Sequence, residues 1–269
     1  MPMQDRIRKL RADPAFAALH RSLDVYHLDP RHLPALEAIY RPFLRPGDLA
    51  FDVGSHVGDR ILAFRRCGAG KVVALEPQPE CARVIRELFT GDPAVVLIEA
   101  ACGPKPGTLE LRVNSANPTV TTASPAFIRA ADGAAGWEDQ VWDRTITVPV
   151  TTLDRLIAEH GQPAFIKIDV EGFEADVLAG LSQAVPALSF EFTTIQREIA
   201  YKCLELCDRL GGYRYSLMIG DAGGPDGDSC GIIDGADRRR WRTSTDLADV
   251  IAALPHAANS GDVYAWLEV

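Results

Sequence analysis

Nearly continuous runs of apolar residues alternate along this chain with segments whose apolar residues recur at helical spacing. The runs predict strands at residues 49–51, 71–75, 95–98, 164–168 and 188–192. The periodic segments predict helices at residues 60–67, 79–89, 153–160, 173–181 and 197–210. Strands that are apolar throughout and are separated by helices are typical of a parallel sheet with helices on both faces. The pattern therefore predicts an α/β fold.

The rest of the chain adds elements before, within and after this core. An apolar stripe from Leu33 to Leu44 at helical spacing indicates that residues 3–45 are helical. Further strands are predicted at residues 109–113, 145–150, 213–219 and 263–269. The polar stretch 114–144 is longer than most structureless loops, which indicates a functional lid or a disordered segment. We predict an N-terminal helical extension over residues 1–46 and one domain over residues 47–269, with a lid insertion around residues 114–144.

Composition narrows the class of protein. The chain has 269 residues, 47% of them apolar and 24% charged, which is ordinary for a globular protein. Its net charge of −9 would repel phosphates, so no nucleic-acid partner is expected. No run of about 18 apolar residues predicts a transmembrane segment, and no secretory signal is visible, so a cytoplasmic location is expected. The oligomeric state stays open.

The six cysteines show no metal-binding spacing. None forms a Cys-x-x-Cys pair, and no His or Cys spacing resembles a zinc site. Cys203 and Cys207 fall four residues apart and would share one helix face. We expect reduced, mostly buried thiols at Cys67, Cys81, Cys102, Cys203, Cys207 and Cys230.

The turn after the first strand carries a cofactor signal. Residues 52–58 have the pattern Asp-x-Gly-x-x-x-Gly. Gly54 permits a tight turn with positive φ, and Gly58 permits close approach of a ligand or close packing against the strand. In an open α/β sheet, ligands bind at the carboxyl ends of the strands, where this turn lies. Asp52 suits a cationic group and would repel a pyrophosphate, which argues against a dinucleotide site.

A second acid follows the next strand. Glu76, in Ala-Leu-Glu-Pro, stands where an acid can accept both hydroxyls of a ribose. Either Asp52 or Glu76 alone could be a helix cap or a surface charge. Two acids after two consecutive strands are a more specific signal. Together they predict a site for a nucleoside with a cationic group.

These residues resemble motif I and the ribose-binding acid of class I S-adenosylmethionine methyltransferases. The segments Val-Thr-Thr-Leu-Asp-Arg-Leu at 150–156 and Lys-Ile-Asp-Val-Glu-Gly-Phe-Glu at 167–174 resemble the FkbM family. The resemblance covers about residues 48–192. It implies a Rossmann-like sheet of seven strands, the last of them antiparallel, and O-methylation of a hydroxyl on a sugar, a polyketide or a related small molecule. The acceptor would be a small molecule or a glycan.

The resemblance also implies a cofactor site for S-adenosyl-L-methionine. Its methionine end would be lined by residues of the first turn, its ribose by residues after the second strand and its adenine by residues after the third. Those residues are Asp52, Gly54, Ser55, His56, Gly58, Glu76, Pro77, Ala100, Ala101 and Asp169. His56 is a departure, because the family more often has Asn there.

The catalytic candidates are Asp169, Glu171 and His56. If the acceptor is a hydroxyl, one of them must remove its proton. Asp169 and Glu171 could also hold a divalent cation, because hard cations prefer oxygen ligands, and Glu171 could instead cap the next helix. We expect Lys167, inside an apolar strand, to point to an edge or to a carboxylate. Glu191 would shape the acceptor site.

The lid insertion supplies polar and aromatic side chains above this rim. Its hydroxyl and amide groups would help to select the acceptor. They belong to Asn117, Thr119, Thr121, Thr122 and Ser124. Trp137 and Trp142 could stack on the acceptor or anchor the lid. Two other functions stay open, a nicotinamide-dependent oxidoreductase and a non-catalytic binding protein on the same fold.

Overall fold

The computed structural model describes residues 1–220 and 237–268. The chain begins with an irregular helical region. Helices α1 (Met3–Ala12), α2 (His20–Leu23) and α3 (His32–Tyr40) are joined by a 3₁₀ turn at Pro14–Leu19 and a π turn at Asp24–Leu28. These residues therefore form several short helical segments and no continuous helix.

The central domain alternates strands and helices as predicted. Its strands are β1 (Leu49–Val53), β2 (Lys71–Leu75), β3 (Val95–Ile98), β4 (Ala101–Cys102), β5 (Gly107–Val113), β6 (Arg144–Thr151), β7 (Phe165–Ile168), β8 (Ala187–Thr193), β9 (Tyr213–Ile219) and β10 (Ser260–Leu267). Its helices are α4 (Asp59–Arg66), α5 (Pro79–Leu88), α6 (Pro125–Ala131), α7 (Leu153–His160), α8 (Glu174–Leu178), α9 (Arg197–Leu210) and α10 (Ser244–Ala253).

Seven of these strands form the main sheet, in the order β3-β2-β1-β7-β8-β10-β9. The pairings from β3 to β8 are parallel, whereas β10 runs antiparallel to both β8 and β9. This confirms the predicted Rossmann-like α/β sheet with an antiparallel last strand. The strand order reverses between β1 and β7, so the carboxyl ends of these two strands open a crevice.

Helices cover both faces of the sheet because successive strand residues point to opposite sides. Ala50 packs into a hydrophobic cluster with α1, α3, α4 and α5, and Phe51 packs into a second cluster with α7, α8, α9 and α10. The first cluster also contains Ile7, Leu23 and Tyr40 from the N-terminal region. Residues 1–46 therefore share their core with the sheet and are not a separate hydrophobic unit.

The insertion differs from a structureless loop. Strands β4, β6 and β5 form a small second sheet, and residues 118–120 and 125–131 are helical. The Ser124 hydroxyl caps α6 by accepting the Phe127 N–H. Phe127 and Trp137 form a small core of their own. Sequence patterning missed α6, β4 and α10, because each is short or lies in a polar stretch.

The described cysteines match the prediction. Cys67, Cys81, Cys102, Cys203 and Cys207 are free and buried, the last two on one face of α9. Cys230 and Val269 lie outside the described residues. No helix in the described part of the chain is both long and apolar enough to cross a bilayer.

Candidate functional site

A cavity of about 710 Å³ opens at the carboxyl ends of β1, β2 and β7. This volume is in the usual range for sites that bind small molecules and cofactors. Its walls come from four parts of the chain: residues 21–31, the strand ends of the main sheet, residues 117–140 of the insertion, and residues 259–260. The cavity therefore lies at the predicted rim of the sheet.

The turn after β1 lies against the end of β7. Gly54 has φ +85°, and a Cβ there would lie 1.8 Å from the backbone oxygen of Asp169. Gly58 has φ +82°, and a Cβ there would lie 2.9 Å from the Phe89 ring of the neighbouring layer. Of these two glycines, Gly54 lines the cavity and Gly58 does not. Glycine is needed at 58 because of its positive φ and its close packing against Phe89. The Ser55 hydroxyl donates to the Asp52 carbonyl and also lies off the cavity wall.

Asp52 is buried behind this wall. It is 0% exposed, and neither carboxylate oxygen has a hydrogen-bond partner of good geometry among the described residues. Burial raises the pKa of Asp52 to about 6, against the opposing charge of Lys167, its register partner on β7. Its side chain does not line the cavity. Direct contact between Asp52 and a ligand ammonium therefore stays a prediction.

Glu76 lines the cavity directly. Its carboxylate accepts the backbone N–H groups of His56 and Gln78, each at 2.8 Å. Burial raises the pKa of Glu76 to about 8, although these two donors favour the charged form. Pro77, Ala100 and Ala101 line the same wall, as the resemblance implies for a ribose and adenine site.

The opposite wall carries Asp169 at the end of β7. Lys167 and Asp169 are two residues apart in an extended segment and face the same side, which brings the ammonium against the carboxylate. Burial raises the pKa of Asp169, but Lys167 and Arg60 together hold it below its usual value. This contact confirms that Lys167 points to a carboxylate.

Glu171 and Glu191 complete this wall. The carboxylate oxygens of Asp169, Glu171 and Glu191 lie within 4.8 Å of one another. Burial and the neighbouring carboxylates raise the pKa of Glu191 well above its usual value. Carboxylates this close together disfavour one another's charged forms, and the contact with Lys167 offsets this at Asp169.

Glu174 holds the turn that carries Glu171. Its carboxylate accepts the N–H groups of Val170 and Gly172, at 3.0 and 3.2 Å. Glu171 itself has φ +56°, which is uncommon for a residue with a Cβ. The N-cap of α8 is Phe173, which makes no side-chain cap hydrogen bond, and Glu171 lines the cavity.

His56 is part of the turn after β1 and contacts two other walls of the cavity. Its Nε2 is 2.8 Å from the Ser22 hydroxyl and 3.3 Å from the Thr119 hydroxyl. Its Nδ1 is 3.6 Å from the sulfur of Cys81. Burial lowers the pKa of His56 to about 4, against the opposing charges of Asp59 and Asp169. The imidazole is neutral at pH 7 and already bonded at both nitrogens.

Sequence patterning missed the N-terminal wall of the cavity. His32 Nε2 lies 2.7 Å from Asp59 Oδ2, and Arg60 donates to the same oxygen at 2.6 Å. All three side chains are at most 10% exposed. Arg60 also lies over the Tyr26 ring, with Cζ 5.7 Å from the ring centre. The wall is thus anchored to the first turn of α4, and no motif marks its residues.

The insertion is anchored by aromatic and hydroxyl groups. The indole N–H groups of Trp137 and Trp142 donate to Asn259 and to the Val120 carbonyl, both at 2.9 Å. Both rings pack edge-on against Phe127, and Trp137 also lines the cavity. Thr122 donates to the Glu171 carbonyl at 2.6 Å. Both tryptophans therefore hold the insertion in place, and contact between Trp137 and an acceptor stays a prediction.

The chain matches known proteins in sequence and in fold. The sequence profile described as Methyltransferase FkbM domain matches residues 52–217, more than half of the chain. That range includes the turn after β1, the Glu76 wall and the Asp169 wall. It begins after the N-terminal wall. No curated protein matches the sequence as a whole.

Several solved structures align with most of the chain at low identity. A precorrin-6y C5,15-methyltransferase from Geobacter metallireducens shares 13% identity, with a TM-score of 0.41 and coverage of 87% of this chain and 86% of that one. A ribosomal protein L11 methylase from Lactobacillus delbrueckii subsp. bulgaricus shares 12% identity, with a TM-score of 0.41 and coverage of 93% and 80%. A mutant of MtNAS in complex with S-adenosylmethionine shares 11% identity, with a TM-score of 0.39 and coverage of 98% and 71%.

The family assignment follows from the long profile match and from the topology of the sheet. The parallel strands, the antiparallel β10 and the crevice between β1 and β7 agree with that assignment. The chain belongs to the FkbM family of S-adenosylmethionine-dependent methyltransferases.

Proposed function

We propose that the cavity binds S-adenosyl-L-methionine and that the protein transfers the methyl group to a hydroxyl of a small molecule or a glycan. One observation carries the proposal. Gly54, in the turn that would hold the methionine end, lies directly against the backbone of Asp169. A cofactor in this turn would therefore present its methyl group close to the Asp169 wall.

The cofactor would lie along the ends of β1, β2 and β3. Glu76 would accept ribose hydroxyls, and its two backbone N–H donors hold it in place. Pro77, Ala100 and Ala101 would flank the adenine with apolar contacts. The turn at Gly54 would contact the methionine end. Asp52, behind the wall, would act on the charged methionine group at longer range.

Methyl transfer to a hydroxyl needs alignment and one proton acceptor. Holding two reactants in line can contribute roughly 7–11 kcal/mol. Asp169, kept ionised by Lys167, would take the proton of the acceptor hydroxyl. The oxygen bonds to the methyl carbon as the carbon–sulfur bond breaks, which leaves S-adenosylhomocysteine. Glu171 and Glu191 would orient the acceptor from the same wall.

A divalent cation is a second candidate for this wall. Asp169, Glu171 and Glu191 would supply its oxygen ligands, since their oxygens lie within 4.8 Å of one another. Lys167 competes for Asp169, because its ammonium already contacts that carboxylate. Calorimetric titration with Mg²⁺, with and without cofactor, measures whether the wall takes an ion.

Ligand binding and turnover test the proposal in turn. We expect calorimetry to detect S-adenosylmethionine binding and no NADH binding. Tight NADH binding without S-adenosylmethionine binding would support an oxidoreductase and overturn the proposal. Release of S-adenosylhomocysteine with a panel of sugars and hydroxylated compounds then identifies an acceptor. Cofactor binding without product on extracts of the source cells would favour a non-catalytic binding protein.

A further inference from the structure

His56 has a backbone conformation that few side chains adopt. Its φ of +45° lies in the left-handed region, where Asn, Asp and His are the residues with a Cβ that occur most often. Its N–H donates to Glu76, so the backbone itself holds the cofactor turn. Asn would satisfy both of these needs. The imidazole is larger than the Asn side chain and extends further from the backbone.

The His56 imidazole contacts two walls of the cavity. Nε2 lies within hydrogen-bond distance of Ser22 on the N-terminal wall and of Thr119 on the insertion. In a neutral imidazole with its proton on Nδ1, the Ser22 and Thr119 hydroxyls share the one lone pair of Nε2, and in the other tautomer Nε2–H donates to one of them. Tyr26 packs edge-on against the same ring, with centroids 5.9 Å apart. Three segments that are distant in sequence therefore meet at one side chain.

The joined walls enclose the place where the cofactor would lie. Ser22 is 6% exposed, and Ser22, Thr119, His56 and Glu76 all line the cavity. A ligand held between such walls leaves when they separate, and wall opening often limits the rate of ligand exchange. Separation of these walls breaks the two hydroxyl bonds to Nε2.

We propose that His56 is a positioning residue that fastens residues 20–31 and 117–121 over the cofactor turn and thereby slows cofactor release. The inference rests on the proposed function for the identity of the ligand. The fastening itself is a property of the protein without ligand. His56 acts through the two walls and takes no proton from the acceptor.

Three variants remove the contacts of His56 with the two walls, either together or one at a time. His56→Asn keeps the backbone conformation and removes both wall contacts, whereas Ser22→Ala and Thr119→Val remove one contact each. With each neutral hydrogen bond worth about 0.5–1.5 kcal/mol, we expect dissociation of S-adenosylhomocysteine to accelerate about 2- to 10-fold in each single-contact variant and about 5- to 50-fold in His56→Asn. Thr108→Val, at an exposed position on β5, is the matched control.

Hydrogen exchange of the protein without ligand supplies an independent measurement. We expect faster exchange at residues 20–31 and 117–121 in His56→Asn, with exchange in β8 and β10 unchanged. Adding Ser22→Ala to His56→Asn should cause no further acceleration, because the partner is already gone. If S-adenosylhomocysteine fails to bind the unaltered protein, the proposed function is wrong. Hydrogen exchange still tests whether His56 holds the two walls together. Unchanged exchange and unchanged release in all three variants overturn the inference.

Discussion

Two opposite walls of the cavity each carry an acidic residue at the end of a strand, and the two acids lie in different environments. Glu76 after β2 is held by two backbone N–H donors, and burial raises its pKa to about 8. Asp169 after β7 contacts a buried lysine, and its pKa lies below the usual value despite burial. In both cases the sequence signal is an acid at the end of an apolar strand. The difference comes from Lys167, two residues before Asp169, which has no counterpart before Glu76.

This difference predicts a division of labour. A carboxyl group without a cation suits hydrogen bonding to neutral ribose hydroxyls. A carboxylate that is kept ionised is ready to accept a proton, although its lowered pKa makes it a weaker base than one whose pKa is near neutral. The variants below test that division, in order of the size of their expected effects.

Asp169→Asn should lower turnover by about 10²–10⁴-fold, the usual contribution of a positioned base. Cofactor affinity should change little, since the ribose side is untouched. Rates of S-adenosylhomocysteine release and calorimetric Kd values measure the two effects separately. Asp132→Asn, at an exposed residue after α6, is the control. Turnover that survives Asp169→Asn shows that another group is the base.

Lys167→Met should lower the free energy of unfolding by about 1–3 kcal/mol, because it removes the charged partner of the partly exposed Asp169 carboxylate. Urea denaturation measures the loss. Lys105→Met removes an exposed lysine and should have almost no effect. A loss no larger than that of the control would mean that Asp169 does not depend on Lys167.

Glu76→Gln should change how stability depends on pH. Burial raises the pKa of Glu76 from 4.5 to about 8, so the folded protein holds a proton there that the unfolded chain releases. Its favourable contribution is complete below about pH 4.5 and is lost as the pH rises to about 8, by at most about 1.4 kcal/mol for each pH unit. Relative to the Gln variant, the unaltered protein should therefore melt at lower temperature as the pH rises from 5 to 8. Parallel melting curves would contradict the raised pKa.

Glu76→Ala should weaken S-adenosylmethionine binding by about 1–3 kcal/mol, through lost hydrogen bonds to the ribose. Calorimetry gives the Kd, and Glu87→Ala on the exposed side of α5 is the control. An unchanged Kd would show that Glu76 does not bind the cofactor. The proposed difference in role between the Glu76 wall and the Asp169 wall would then be wrong.

Much of this arrangement could be predicted from the sequence. Apolar runs fix the strands of the sheet, and parallel strands bring their carboxyl ends to one edge, which is why Glu76 and Asp169 were predicted at one site. The alternation of side chains along a strand also predicts which way Asp52 points. Asp52 shares a face of β1 with Ala50, which is buried against the N-terminal helices. Without a known covering layer, that face could not be distinguished from an open one.

The missed parts depend on contacts between distant residues. His56 meets Ser22 and Thr119, which are 34 and 63 residues away in the chain. The insertion folds around Phe127 and two tryptophans in a segment whose composition is typical of a loop. Glu174 holds the turn before α8 by accepting the Val170 N–H, four residues earlier in the chain. Local pattern does not encode such pairings, because each needs the tertiary fold to bring its partners together.

The shared core of the N-terminal helices has a practical consequence for anyone who trims this protein. The family profile begins at residue 52, yet Tyr40 and Phe43 pack with tilted rings against Phe165 in the sheet. A chain shortened to residues 52–217 would present that aromatic surface to water and would tend to aggregate. A shortened protein that keeps this packing has to begin before Tyr40.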